Sequence, residues 1–389
     1  MDSQILEPIV STASGKVRGQ LREGIYGDTY YSFDGIPYAK PPLGKLRFKS
    51  PQPVEPWHGV RDCTICPPMC IQSNYYTGVI DGIEDCLYLN VFTKKLRSAK
   101  PLPVLAYLLG GRFAIGDASR NSWGPDYLMM KDVVYITIGF RLGALGFLSF
   151  PEPELQVPGN AGLKDIVMAL QWIKKNCQYF NGDPDNITLF GHSSGSATAQ
   201  MLMYVPQCEN LFHKVILISG MQMHLRRIPQ LEYRFAKHLG YKGQENNHDI
   251  LAYLSALPAE RLCDLEILTP EELKQGHFFV FSLTLENESA PDALLTKDPL
   301  DMYADKQSWC HSIPLVLGVN YFTKKPELYE TLKKHPEYLL SHEVREKCDV
   351  HTQQQQELNV EQSYGLMRVN VNLFIILCKP RLIYEQMML

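Results

Sequence analysis

The stretch NITLFGHSSGSATAQMLMYV, Asn186 to Val205, decides the fold. Ile187 to Phe190 is a short apolar run of strand character, and the segment after Ser194 reads as a helix. Between them, Gly191-His192-Ser193-Ser194-Gly195 fits the pattern G-x-S-x-G. Such a turn mounts a serine on a sharp strand-to-helix corner, where small neighbours let the backbone bend and the hydroxyl stand exposed. A serine hydroxyl is a weak nucleophile until a base takes its proton. Ser193 is therefore the candidate nucleophile, and the helix N-terminus beside it favours a developing negative charge. The competing reading is a chance Gly/Ser-rich corner, and five residues alone do not separate the two. His192 is adjacent in sequence and directed away from Ser193 on such a turn, so it is not read as the base.

Further along the chain in both directions, apolar runs recur at Val104 to Leu109, Val133 to Ile138, Val215 to Ile218 and Ile313 to Leu317. Continuous runs of this length suit parallel strands buried on both faces. Leu163, Ile166, Val167, Leu170 and Ile173 follow the i, i+3, i+4, i+7 spacing of one helix face. This alternation predicts an α/β fold with a mostly parallel central sheet and helices on both faces. Ligands in such sheets sit beyond the carboxyl ends of the strands, so the glycine-bearing loops after Leu109, Phe190 and Leu317 are expected to converge. Before Leu102 the chain is rich in Pro, Gly and Tyr and reads as a hairpin region with surface loops.

Composition bounds the function classes. The chain has 389 residues, 45% of them hydrophobic, enough for a large core, and a net charge of −4 that gives no basic surface for nucleic acid. Its first residues, MDSQILEPIV, lack the basic and apolar regions of a secretory signal. The apolar run Leu373 to Cys378 is far too short to span a bilayer. These features predict a cytoplasmic chain, in which the sequons at Asn186 and Asn287 carry no glycan. Ten cysteines are too few at this length for a disulfide scaffold. No repeat is visible, and HTQQQQELN, His351 to Asn359, reads as a solvated linker or helix surface.

Four longer stretches carry a resemblance. They are YYSFDGIPYAKPPLGKLRFKSPQP (Tyr30 to Pro53), EDCLYLNVFT (Glu84 to Thr93), FRLGALGFLS (Phe140 to Ser149) and the run from Gly159 to Ser196 that contains the opening motif. In them the chain resembles the type-B carboxylesterases, the cholinesterase and insect α-esterase group, over about residues 5 to 345. The first half is most similar to the insect α-esterases. The resemblance implies an α/β-hydrolase fold as one domain over residues 1–389, with 346–389 divergent and the family's C-terminal part missing. It implies a serine esterase acting on a small lipophilic carboxylic ester, with no cofactor and no metal. It implies that backbone N–H groups of Gly111 and Arg112, in Gly110-Gly111-Arg112-Phe113, form an oxyanion hole with that of Ser194. Arg112 stands where the family keeps an open glycine, so a long cation is expected beside the acyl site. Cys70 and Cys86 match a family disulfide, although a reducing cytosol would keep them as thiols. Arg47 with Glu84, and Arg141 with Asp165, are expected as buried structural ion pairs.

The same resemblance marks what is replaced. The family's acidic residue follows the strand at Ile313 to Leu317 in a G-x-N-x-x-E-G segment; here Gly318 to Lys324 reads GVNYFTK, with Thr323 at the acid position. A threonine cannot hold the charge that orients and stabilises an imidazolium. Glu327 and Glu330 read as solvated surface carboxylates. The family's basic histidine lies about a hundred residues beyond the acid in a Gly/Cys-His segment, and no histidine follows His351 here. His335, His342 and His351 lie in polar surroundings and read as surface. Loss of the base alone lowers turnover on the order of a millionfold, leaving roughly 10³–10⁴ over water from oxyanion donors and binding. The sequence thus predicts a carboxylesterase homologue, inactive or severely impaired, with Ser193 at the nucleophile position. Two further readings are an active esterase using unexpected acid and base residues, and a non-catalytic binder of a ligand or protein. A last reading is a truncated product without a stable fold.

Overall fold

β-branched and aromatic side chains that bury both faces of a strand dictate the centre of this molecule. The structure, a computed structural model, describes residues 7–25, 27–74, 77–220, 225, 227–274, 279–305, 308–321, 349–352 and 372–378. Ten strands form one sheet. In chain order they are β1 (Gln20–Glu23), β2 (Thr29–Pro37), β3 (Tyr88–Thr93), β4 (Leu102–Leu108), β5 (Val134–Ile138), β6 (Gly182–His192), β7 (Lys214–Ile218), β8 (Leu315–Tyr321), β9 (Asp349–Thr352) and β10 (Asn372–Cys378). Across the sheet the order is β9-β10-β8-β7-β6-β4-β5-β3-β2-β1.

The five apolar runs read from the sequence are the five parallel strands at the centre, β5-β4-β6-β7-β8. All five residues of β5 are buried, as its VYITI sequence requires. Antiparallel pairs flank this centre on both sides, β3, β2 and β1 on one and β10 and β9 on the other. Of the patch His351 to Asn359, read as a solvated linker or helix surface, His351 and Thr352 pair with Ile375 and Phe374 of β10, and residues 353–359 lie outside the described residues. A second small sheet joins Ile9–Ser11, Lys16–Arg18 and Val60–Asp62.

The expected helix is α1 (Ala161–Asn176), and Leu163, Ile166, Val167, Leu170 and Ile173 are all buried along it. Asp165 on α1 meets Arg141 on the loop after β5. The Arg141 Nε donates to Oδ2 at 2.8 Å and an Nη to Oδ1 at 2.6 Å. The Arg141 backbone N–H donates to Oδ2 at 3.1 Å, and its other Nη to the Lys49 carbonyl at 2.7 Å. Buried charges persist only when paired and hydrogen-bonded, and this pair satisfies both demands. Arg47 grips Glu84 in the same two-pronged way, at 2.8 and 2.5 Å, and donates to the carbonyls of Ser255 and Leu257. Cys70 and Cys86 are joined by a disulfide. Among the described residues no helix is long and apolar enough to cross a membrane.

Candidate active site

Strand β6 ends at His192 and helix α2 (Ser194–Tyr204) starts two residues later, so Ser193 must turn the chain alone. It does so at φ +53° and ψ −122°. A side chain rarely adopts that conformation, which costs about 1–3 kcal/mol and is held only where the surroundings enforce it. The enforcement is visible. The Ser193 N–H donates to the Ile218 carbonyl at 2.8 Å, tying the corner to the end of β7. A Cβ on Gly220 would lie 2.0 Å from the Ser193 carbonyl oxygen. A Cβ on Gly195 would lie 2.3 and 2.5 Å from the carbonyl oxygens of Leu108 and Leu109. Backbone therefore touches backbone on both sides of the corner, and glycine is what permits it. Ser193 occupies the helix N-cap position, yet its hydroxyl makes no capping hydrogen bond.

The loop after β4 lies against this corner: a Cβ on Gly110 would sit 2.8 Å from that of Ser193. Gly111 has φ +142°, and a Cβ there would fall 1.8 Å from the Ile115 carbonyl oxygen. Arg112 and Phe113 follow with φ +59° and +61°. The Gly111 carbonyl accepts from the N–H groups of Ala114 at 3.0 Å and Ile115 at 2.9 Å. The turn's own bonds thus use those two donors. Ser194 is the first residue of α2, where the first N–H groups have no intrahelical acceptor. The three N–H groups expected to form an oxyanion hole thus sit on two loops that meet at Ser193.

Gln72, which the sequence reading passed over, fastens this loop. Its buried side-chain amide donates to the Gly116 carbonyl at 2.7 Å and accepts the Gly116 N–H at 2.6 Å. Gly220, two residues beyond the end of β7, was not singled out in the sequence either, and it meets Ser193 from a separate segment. Arg112 is exposed, with its guanidinium carbon 5.9 Å over the ring of Phe279. Phe279 in turn meets Phe113 edge-on at 5.6 Å.

Several of the described histidines make contacts away from Ser193. The His192 ring faces Trp123 at 6.2 Å, its Nδ1 is buried without a partner, and burial holds its pKa below the ordinary value. The His213 Nδ1 accepts from the Ile187 N–H, at the strand end remote from Ser193. His238 pairs with Asp264 at 2.9 Å. His351 shares one lateral row with the end of β6, through the pairs His192–Ile218, Ile218–Gly318, Gly318–Ile375 and Ile375–His351. Four strand spacings separate its backbone from that of His192, about 19 Å at ~4.8 Å each. Among the described residues no imidazole is hydrogen-bonded to Ser193. Thr323, Glu327, Glu330, His335 and His342 lie outside the described residues. Among the described residues no cluster of His, Cys, Asp or Glu is placed to hold a metal ion.

Comparison with known proteins matches residues 6–372 to the carboxylesterase family. The chain belongs to that family. It is 37% identical to esterase B1 of Culex pipiens over 339 residues, covering 86% of this chain and 62% of that protein. It is 34% identical to the juvenile hormone esterase of Tribolium castaneum, covering 86% of this chain and 59% of that protein. The chain thus spans about 60% of the length of these curated relatives. The crystal structure of juvenile hormone esterase from Manduca sexta, with OTFP covalently attached, superposes with a TM-score of 0.71 at 33% identity. That superposition covers 87% of this chain and 66% of the other. The fold is the α/β-hydrolase fold.

Proposed function

We propose that this chain is a carboxylic-ester-binding member of the family with Ser193 at the acyl-accepting position. On this reading, turnover by these 389 residues is absent or severely impaired. The observation that carries it is Ser193 itself, held at φ +53° with an uncapped hydroxyl where the loop after β4 packs against the corner. Strain of this kind is stored where chemistry uses it. The impairment is inferred from Thr323, which the resemblance puts at the acid position, and from the described imidazoles, none of which is bonded to Ser193. The substrate class is a small lipophilic ester, a reading supported by relatives named as esterases. The Gly111 and Arg112 N–H groups would bind the oxyanion with that of Ser194, each such donor worth about 3–4 kcal/mol in the transition state.

The test is hydrolysis of p-nitrophenyl butyrate by the purified chain and by Ser193→Ala. The expected result is a wild-type rate within about tenfold of the variant, against the roughly millionfold gap that an intact base would give. A wild-type rate four or more orders above Ser193→Ala would overturn the impairment and favour an esterase with its acid and base at other positions.

A further inference from the structure

The loop that carries Gly111 and Arg112 is a closed turn. Its Gly111 carbonyl accepts from the N–H groups of Ala114 and Ile115. A Cβ on Gly116 would lie 2.0 Å from a Leu109 methyl carbon and 3.3 Å from the Gly110 carbonyl oxygen, so Gly110 and Gly116 meet at the base of the turn. Gly110 in turn packs on Ser193. The turn is tethered at both ends. Near its tip, Phe113 is buried edge-on against Phe147, and its carbonyl accepts the Gly143 N–H at 2.7 Å. At its base, both backbone groups of Gly116 are bound by one side chain: Gln72 donates to the carbonyl at 2.7 Å and accepts the N–H at 2.6 Å. A carboxamide bonded to the N–H and the C=O of the same residue fixes that residue in two directions.

Gln72 is itself held in place. Its side chain is buried, so water competes little for its hydrogen bonds. Its Nε2 also donates to the Cys70 carbonyl at 2.9 Å, which engages both amide protons. Its backbone is anchored on either side: Cys70 is joined to Cys86, and Gln72 pairs with Asp81. A carboxamide fixed at its root and at each polar atom leaves Gly116 one place to sit. We propose that Gln72 is a positioning residue for oxyanion binding. Through Gly116 and Gly110 it sets the spacing between the Ser193 corner and the loop that bears the Gly111 and Arg112 N–H groups. The inference rests on the ester-binding reading above and names the side chain that places two of its donors. Gln72 reaches the loop from 44 positions earlier in the chain and acts only through backbone. A displacement of about 1 Å caused far from the chemistry can cost about a hundredfold in rate, so two hydrogen bonds at the base of the loop are enough to matter.

The experiment follows residual hydrolysis of p-nitrophenyl butyrate by the full chain carrying Ser193→Ala. That rate comes from oxyanion donors and binding alone, roughly 10³–10⁴ over water. Adding Gln72→Met keeps the side-chain volume and deletes both hydrogen bonds to Gly116. It should lower kcat about tenfold or more and leave KM within about twofold. Adding Gln72→Glu instead supplies a carboxyl of the same shape. Protonated, its O–H can donate to the Gly116 carbonyl and its C=O can accept the Gly116 N–H; ionised, it turns negative charge on that carbonyl. Burial favours the neutral form and raises its pKa. The Gln72→Glu chain should therefore recover most of the parental kcat at about pH 4.5 and lose it about tenfold by about pH 8. Unchanged kcat with Gln72→Met, a rise in KM alone, or a pH-independent ratio for Gln72→Glu overturns the proposal while leaving ester binding intact. Loss of cooperative urea unfolding in both variants also overturns it, because Gln72 would then serve stability. No hydrolysis above the spontaneous rate by Ser193→Ala itself overturns both this proposal and the ester-binding reading. Rapid wild-type hydrolysis of p-nitrophenyl butyrate would overturn only the impairment.

Discussion

Replacing Ser193 with glycine should stabilise the protein relative to replacing it with alanine. Both substitutions delete the hydroxyl, so its interactions cancel, and the comparison isolates the backbone. Alanine keeps a Cβ at φ +53° and ψ −122°, a conformation that costs a side-chain-bearing residue about 1–3 kcal/mol. Glycine adopts it freely but gives back about 0.5–1 kcal/mol in extra chain entropy on folding. The difference leaves Ser193→Gly more stable than Ser193→Ala by about 0–2.5 kcal/mol, centred near about 1 kcal/mol. Equilibrium urea unfolding of the two variants, followed by tryptophan fluorescence, reads this as a higher midpoint for glycine at equal slope. Alanine equal to or above glycine would refute the reasoning, because it would mean that the elbow is not strained.

Other consequences can be measured on the same protein. Asp165→Asn should destabilise by about 3–5 kcal/mol, since it leaves the buried Arg141 guanidinium without a counter-charge; a loss under about 1 kcal/mol in thermal or urea unfolding would contradict that account. Reducing the Cys70–Cys86 disulfide, or replacing both cysteines with serine, should cost about 3 kcal/mol for a loop of this length, checked by melts with and without reductant. Glu272 has its pKa lowered from 4.5 to about 2, chiefly by its hydrogen bond to Arg234. A depressed carboxyl contributes stability that is present above its unfolded pKa and lost as pH falls through the folded value. Glu272→Gln should therefore flatten the stability profile between about pH 4.5 and 2, and an unchanged profile would remove Arg234 as the cause.

The central strands were legible because each is an unbroken apolar run, and burial on both faces leaves few other ways to write one. Strand β6 was legible only in part. Its first residues, from Gly182 to Asn186, are polar and turn-forming, and the pairing with β4 shifts register between Gly182 and Ile187. The antiparallel flank was read as a hairpin region without individual strands, because Tyr88–Thr93 mixes polar and apolar residues that are nearly all buried. Leu373 to Cys378 was weighed only as a membrane span and was too short for one, whereas Asn372–Cys378 pairs with β8. At the site, Ser193, Ser194, Gly110 and Gly111 could be read because they belong to two short local motifs. Gln72, Gly220 and Phe279 could not, because each arrives from a distant segment through tertiary approach, and nothing in its own neighbourhood announces the contact.

The backbone contacts around Ser193 also set an order of events in folding. The corner is held by Gly110 after β4, by the Ile218 carbonyl of β7 and by Gly220, none of which is a local neighbour of β6. Contacts between remote segments form late, after their loop-closure entropy has been met. Until β4, β6 and β7 lie side by side, nothing holds Ser193 at positive φ, and the segment relaxes to ordinary dihedrals. The nucleophile position thus exists only while β6 is paired with both β4 and β7.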